Sequence, residues 1–370
     1  MNMTTKSLTF IIGIIMSIAM VGSLILPLLS GQATVQSEAP QPTAIPEPTF
    51  PPPPDVSGID FDDLYLHPSG LFTLGVPTGW LPAVGHSTAD EVRVGLNNSD
   101  VLSVVEARII QNPENIAAAS DLSAFFSEAW LRQSWRDYYS WDETQRKITD
   151  EGRVVIDFNL ARSRIRYIAR QESWVEDGDI YSVRVVTPEN APQELKFLLE
   201  GVINSVERLE AYAESPFEWN GYFDNMDKHM IRYPKNWEFT DGDWGLPATI
   251  VGDDVTLVVE TVDVALASES DTIDWIENWR SGVEALTVEA VEVEGASGYE
   301  VSYRLSTVDG APQSGLALLL HGSDNRLHVA NARIHETDID LQSAAAEEFP
   351  LIAVLDSFRL LPELEITVQD

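Results

Sequence analysis

The amino-acid sequence predicts an α+β protein: two tandem α/β/α sandwich domains, each a mainly antiparallel sheet flanked by helices, behind an N-terminal transmembrane helix. Three observations support this. A cassette of residues occurs twice, each copy reads as Val- and Ile-rich strands with one helix early and one late, and a long uncharged segment opens the chain. The cassette begins with a strand ending in Pro-x-x-Trp and closes with an apolar helix ending in a Ser-centred tag. It runs from Val76-Pro77-Thr78-Gly79-Trp80 to Ile203-Asn204-Ser205-Val206, and again from Tyr233-Pro234-Lys235-Asn236-Trp237 to Leu355-Asp356-Ser357-Phe358. Trp80 and Trp237 are 157 residues apart, and Val206 and Phe358 are 152 apart, which is a repeat of domain size. A chain of 370 residues exceeds one ordinary core, so domains are placed at 58–211 and 212–363, with a tail at 364–370.

In the first copy, 71–76 is a strand leading into the Pro-x-x-Trp turn, and 91–96, 101–110, 153–158, 162–170 and 180–186 alternate in polarity as strands do. Leu122, Phe125, Phe126, Ala129 and Trp130 follow the i, i+3, i+4, i+7, i+8 pattern of one helix, with Ser120 or Asp121 as its cap. Pro192 suits the first turn of the closing helix, whose apolar stripe is Leu195, Leu198, Leu199, Val202, Ile203 and Val206. The second copy repeats the order: strands at 230–233, 255–264, 286–293, 299–306, 315–321 and 327–334. A helix begins near Asp271 and carries Trp275 and Trp279, and a last helix carries Leu351, Val354, Leu355 and Phe358. Pro350 starts or kinks that helix, because proline removes an amide donor from a helix interior.

The opening Ser69-Gly70-Leu71-Phe72-Thr73-Leu74-Gly75-Val76-Pro77-Thr78-Gly79-Trp80, the central helix, the hairpins after it and the closing Ser-Val or Ser-Phe helix resemble the PsbP-like superfamily. That family includes the extrinsic P-protein of the photosystem II oxygen-evolving complex. The resemblance spans nearly all of 58–363 as two copies. It implies an antiparallel sheet between helical layers and a domain that binds or helps assemble other proteins. The matching positions are turn and core positions, so no functional residue carries over. The expected anchor, the proline stalk and the second domain depart from the photosystem members and put a photosynthetic role in doubt.

From Leu8 to Leu29 no residue is charged; Lys6 precedes this run and the next basic residue is Arg93. Twenty-two residues are enough to cross a hydrocarbon layer of about 30 Å as a helix. The expected layout is a cytoplasmic N-terminus at 1–7, a single-pass cell-membrane anchor at 8–29, a Pro-rich linker at 30–57 and extracytoplasmic domains beyond it. A cleaved signal peptide is the alternative, with Gly31-Gln32-Ala33 as its small-residue end, and the length of the apolar run favours the anchor. Pro40, Pro42, Pro46, Pro48 and 51–54 make the linker an extended spacer.

The formal net charge is −36, and there is no cysteine. Disulfides, thiolate nucleophiles and Cys-ligated metals are thereby excluded. Residues 58–211 carry 14 Lys/Arg against 25 Asp/Glu, and residues 212–370 carry 8 against 31. Such a field repels nucleic acid and anionic lipid, collects divalent cations nonspecifically, and attracts basic protein surfaces.

Motifs for phosphate-binding loops, serine-hydrolase elbows and zinc proteases are absent from the sequence. His321, His328 and His335 cluster along the chain, but His328 and His335 have opposite parity on a strand, so no metal site is expected there. His321-Gly322-Ser323-Asp324 reads as a turn. Asp177-Gly178-Asp179 and Asp241-Gly242-Asp243 offer oxygen ligands but lack the spacing of a calcium loop. Trp135, Tyr138, Tyr139 and Trp141 form a candidate aromatic patch for a glycan. The most distinctive polar pattern is Arg162, Arg164, Arg166 and Arg170, which on one strand would share a face and accept carboxylates. The expected function is a membrane-anchored, non-enzymatic protein-binding or assembly module with an unidentified protein partner at the outer membrane face and no cofactor. The alternatives are a ligand or cation sensor using the cleft between domains, and an enzyme of unrecognised type.

Overall fold

The computed structural model describes residues 52, 55–83, 85–240, 247–306, 311–344 and 349–367, all within a compact unit spanning Phe50–Asp370. The expected anchor at 8–29 and nearly all of the proline linker lie outside the described residues. No helix among those described is long and apolar enough to cross a membrane.

The fold is α+β, mainly antiparallel sheets with few helices. The strands are β1 (Asp63–Leu66), β2 (Phe72–Val76), β3 (Leu81–Pro82), β4 (His86–Ser87), β5 (Glu91–Asn98), β6 (Ser103–Ile110), β7 (Ser140–Ile148), β8 (Val154–Arg162), β9 (Ile165–Glu176), β10 (Asp179–Pro188) and β11 (Glu207–Arg208). They continue as β12 (Asn220–Asp224), β13 (His229–Tyr233), β14 (Glu238–Thr240), β15 (Ala248–Val251), β16 (Val255–Val262), β17 (Val283–Val293), β18 (Ala296–Ser306), β19 (Pro312–His321), β20 (Leu327–His335) and β21 (Arg359–Leu360). The α-helices are α1 (Ala119–Phe125), α2 (Glu128–Ser134), α3 (Pro192–Ile203), α4 (Glu269–Trp279) and α5 (Pro350–Leu355). A large sheet ordered β3-β5-β6-β10-β9-β8-β7 accompanies a small one, β1-β2-β11; the order recurs as β14-β15-β16-β20-β19-β18-β17 beside β12-β13-β21.

Alternation along the strands buries both faces of each large sheet. On the first, Val92, Val94, Val105, Ala107, Val183 and Val185 pack with Leu198, Leu199 and Val202 of α3. The opposite face puts Ile156, Phe158, Leu160 and Val186 against Leu122, Phe126, Leu131 and Trp135 of the α1–α2 region. In the second sheet, Leu257, Ala332 and Leu318 meet Val354 and Leu355 of α5, while Val301, Leu319 and Val329 meet Ile276 of α4. The free edges β7 and β17 each carry a register irregularity, at Glu143/Gln145 and at Ala285/Thr287, which blunts an edge against pairing with another chain.

Three sequence expectations change in local structure. Ser120 and Asp121 lie within α1 rather than capping it, and Ala118 stands at its start with no side-chain bond. The single helix over Leu122–Trp130 is two helices, because the Ser127 side chain accepts a bond from the Trp130 amide and starts α2 afresh. The strand expected over 162–170 is a hairpin. Ser163 and Arg164 both have positive φ, 51° and 71°, and Arg162 pairs with Ile165 across a two-residue turn. Such turns usually announce themselves with Asn-Gly or Asp-Gly, and neither is present here.

The two sets of sheets share buried contacts. Met230 packs among Tyr65, Phe72 and Leu74. Arg232 is fully buried; its Nε donates to Ser69 O at 2.6 Å and Nη2 to Pro216 O at 2.6 Å. Gly70 (φ 72°) and Gly221 sit backbone to backbone, so that a Cβ on Gly221 would come within 3.0 Å of Gly70. Part of the stretch read as a tail returns to β1, where Thr367 N donates to Leu64 O at 3.0 Å.

Candidate functional site

The face of the first sheet that α1 and α2 cover apolarly on β8 and β9 turns charged on β5, β6 and β10. Arg93 lies directly opposite Arg108, and Glu106 directly opposite Arg184. Period-two alternation places these side chains, with Glu91, on the same face as Ile110 and Val186. The end of α2 supplies the other wall through Trp130, Gln133 and Ser134, continued by Arg136 and Asp137. Together they enclose a cleft of about 320 Å³.

Glu106 is the electrostatic centre. It pairs with Arg108, with Arg184 at 3.0 Å and with Arg93 at 3.9 Å. Burial is the largest single influence on its carboxyl and pushes its pKa up, but Arg184, Arg108 and Arg93 together outweigh it and hold the group at about 2. Burial pulls Arg184 below the usual guanidinium range, and Glu106 opposes that pull. Arg184 also donates to Ser134 Oγ at 2.6 Å and lies over the Trp135 ring at 4.1 Å; Arg108 lies over Trp130 at 5.1 Å. Glu91 accepts from Arg108 at 3.3 Å. Four guanidinium groups thus face three carboxylates in a chain of net charge −36. The exposed Arg136 has no ion pair or side-chain hydrogen bond among the described residues.

The hairpin divides the arginines singled out from sequence. Arg162 follows Phe158 and Leu160 on the helix-covered face, Arg164 occupies the turn, and Arg166 and Arg170 point to the opposite face. Arg170 is occupied by a bidentate pair with Asp157, at 2.6 and 2.9 Å. Arg162, Arg164 and Arg166 are exposed. The cleft arginines escaped sequence reasoning because the pairing of β10 with β6 brings them together, and no spacing in the chain encodes that pairing.

The other candidates resolve as follows. Among the described residues no three His, Asp or Glu side chains gather as a metal site. Asp177 and Gly178 have φ 48° and 84° and form the β9–β10 turn, while Asp179 pairs with Arg208. Asp241-Gly242-Asp243 lies outside the described residues. His328 is buried, whereas His335 is exposed at the end of β20; their opposite parity puts them on opposite faces of the sheet. His328 meets a residue not grouped with it in sequence: its Nδ1 is 3.4 Å from Nδ1 of His229, and its Nε2 is 3.4 Å from Asp324. The aromatic patch shrinks, since Trp135 is buried and only Tyr139 is fully displayed, at 91% exposure.

No family model matches the chain, and no curated protein is similar to it. Among solved structures, cyanobacterial PsbP from Synechocystis sp. PCC 6803 is similar over 39% of this chain and 92% of its own, at 18% identity and a TM-score of 0.31. The immunity protein TplEi of the T6SS from Pseudomonas aeruginosa, complexed with "L" peptide, is similar over 77% of this chain and 99% of its own, at 13% identity and a TM-score of 0.24. A Pseudomonas aeruginosa protein of unknown function, described as a putative regulator, covers 37% of this chain and 94% of its own, at 11% identity and a TM-score of 0.24. At such identities and scores nothing of their function transfers to this chain.

Proposed function

We propose that this chain is a membrane-anchored, extracytoplasmic, non-enzymatic binding module built from two tandem PsbP-like α/β/α sandwich domains, 58–211 and 212–363. We infer that the cleft beneath α2 is where it takes a carboxylate of a protein partner. The observation that carries this reading is the cluster of Arg93, Arg108, Arg136 and Arg184 around one cleft in a strongly acidic chain. Guanidinium groups bind carboxylates through paired, charge-assisted hydrogen bonds. The buried arginines are already oriented by Glu106 and by indole rings, so little side-chain freedom is lost on binding. The uncharged run at 8–29 and the proline stalk support an anchor with reach. A sensor hinged between the two halves is the weaker reading, because Met230 and Arg232 fill their junction.

The test is crosslinking and affinity capture of the tagged full-length protein from its native membranes, beside an Arg93→Glu/Arg136→Glu variant. A partner enriched by the wild type and lost from the variant is the expected result. A partner captured equally by both would place recognition elsewhere.

A further inference from the structure

The basic cleft does not end at Arg136. The next residues are Asp137, Tyr138 and Tyr139, and Tyr139 N donates to Ala161 O at 2.8 Å, which ties this connection to the tip of the β8–β9 hairpin. Tyr138 stands edge-on to Trp135 at 5.5 Å and to Tyr167 at 6.1 Å. Its hydroxyl, pushed up chiefly by burial, is drawn down by Arg184 on one side and Arg162 on the other. Beyond it, Arg162 and Arg164 are exposed and, among the described residues, have neither ion pair nor side-chain hydrogen bond. Tyr139, which along the chain lies between Arg136 and the bond to the hairpin, is 91% exposed.

Resting on the cleft reading above, we infer that the partner contributes an extended acidic peptide segment: one carboxylate enters the cleft at Arg136, the backbone crosses Tyr138 and Tyr139, and a second carboxylate meets Arg162 and Arg164. Charge complementarity selects the occupant, since these guanidinium groups lack internal partners in a chain with 59 Asp and Glu against 23 Lys and Arg. Geometry sets its length. Arg136 lies three residues before Tyr139, whose amide bonds to Ala161 O next to Arg162, so the two clusters stand at most about 20 Å apart along the chain path, with ~3.6 Å per extended residue and ~5 Å between strands. An extended peptide of about six residues therefore reaches from one cluster to the other. A two-residue acidic peptide reaches only one.

The experiment is fluorescence anisotropy of labelled decaglutamate and labelled diglutamate with the full-length protein in detergent, as wild type, Arg136→Glu and Arg162→Glu/Arg164→Glu. These positions are exposed, and circular dichroism verifies that each variant is folded. Decaglutamate is expected to bind at least tenfold more weakly to either variant, and diglutamate to weaken only with Arg136→Glu. If the hairpin variant binds decaglutamate as the wild type does while Arg136→Glu still weakens it, the extended-segment inference is overturned and the cleft reading stands. If neither peptide responds to Arg136→Glu, the cleft reading falls and takes this inference with it.

Discussion

β10 and β20 occupy the same place in the two large sheets, and each carries an arginine beneath a tryptophan of the covering helical segment. Arg184 lies over Trp135 at 4.1 Å, and Arg333 over Trp279 at 5.6 Å. There the likeness stops. Arg184 faces Glu106 across β6 and bonds to it and to Ser134. Arg333 faces Thr256 across β16, and its Nε is buried with no partner among the described residues. One strand order thus hosts an ion-paired basic cleft in the first half and, on the matching strand of the second, an arginine with no ion pair among the described residues. The apolar alternation that builds the sheets is repeated, whereas the few polar positions opposite one another decide what each half can bind.

The sharpest way to break the comparison is to remove the central carboxylate. Glu106→Gln leaves Arg184 without its carboxylate and Arg93 and Arg108 with Glu91 alone, and should cost about 3–5 kcal/mol in chemical denaturation, as breaking a buried ion pair does. A loss below about 1 kcal/mol would mean that the network is solvent-screened. Next in size is acid lability. Burial depresses both His67 and His229 to about 4, below the unfolded value near 6.5, so each contributes stability that is fully present above pH 6.5 and is lost as pH falls toward 4. Up to about 3 kcal/mol per group follows from a shift of that size. Glu106, held at about 2, adds a loss that begins below about pH 4.5. Thermal melts across this range should lose about half of their upper step in a His229→Phe variant, His67 retaining the rest.

Replacing the paired arginines sharpens the contrast between halves. Arg184→Met should lower stability by about 2 kcal/mol, because it strips hydrogen bonds from a charged partner. Arg333→Met should leave stability within about 1 kcal/mol of wild type or raise it, because it removes a buried cation that lacks a carboxylate. Equal losses would dissolve the distinction. The smallest effect belongs to Arg164→Glu, which sits in an exposed turn and should change stability by less than about 0.5 kcal/mol.

Much of the scaffold was legible. The apolar stripe from Leu195 to Val202 appears as α3, and the Val- and Ile-rich segments appear as strands near their expected bounds, since both signals depend only on local periodicity. The short strands β1, β3, β4, β11, β12, β14, β15 and β21 and the edge β7 were missed, because short or polar segments hold their place by pairing with neighbours. The candidate site was nearly illegible for a related reason. Arg108 and Arg184 are brought near each other only when β10 skips back past β7, β8 and β9 to pair with β6. The arginine stripe failed at Ser163-Arg164, where a tight turn forms without its usual residues and sends Arg166 and Arg170 to the other face. His229 and His328 meet across 99 residues, again through strand order.

Hydrogen–deuterium exchange of the full-length protein with and without decaglutamate tests most directly whether recognition belongs to the first half. Slowed exchange confined to 91–108, 130–139 and 161–167, with 269–280 and 327–335 unchanged, is the predicted result. Protection centred on the second half, or none anywhere at saturating peptide, would contradict the account.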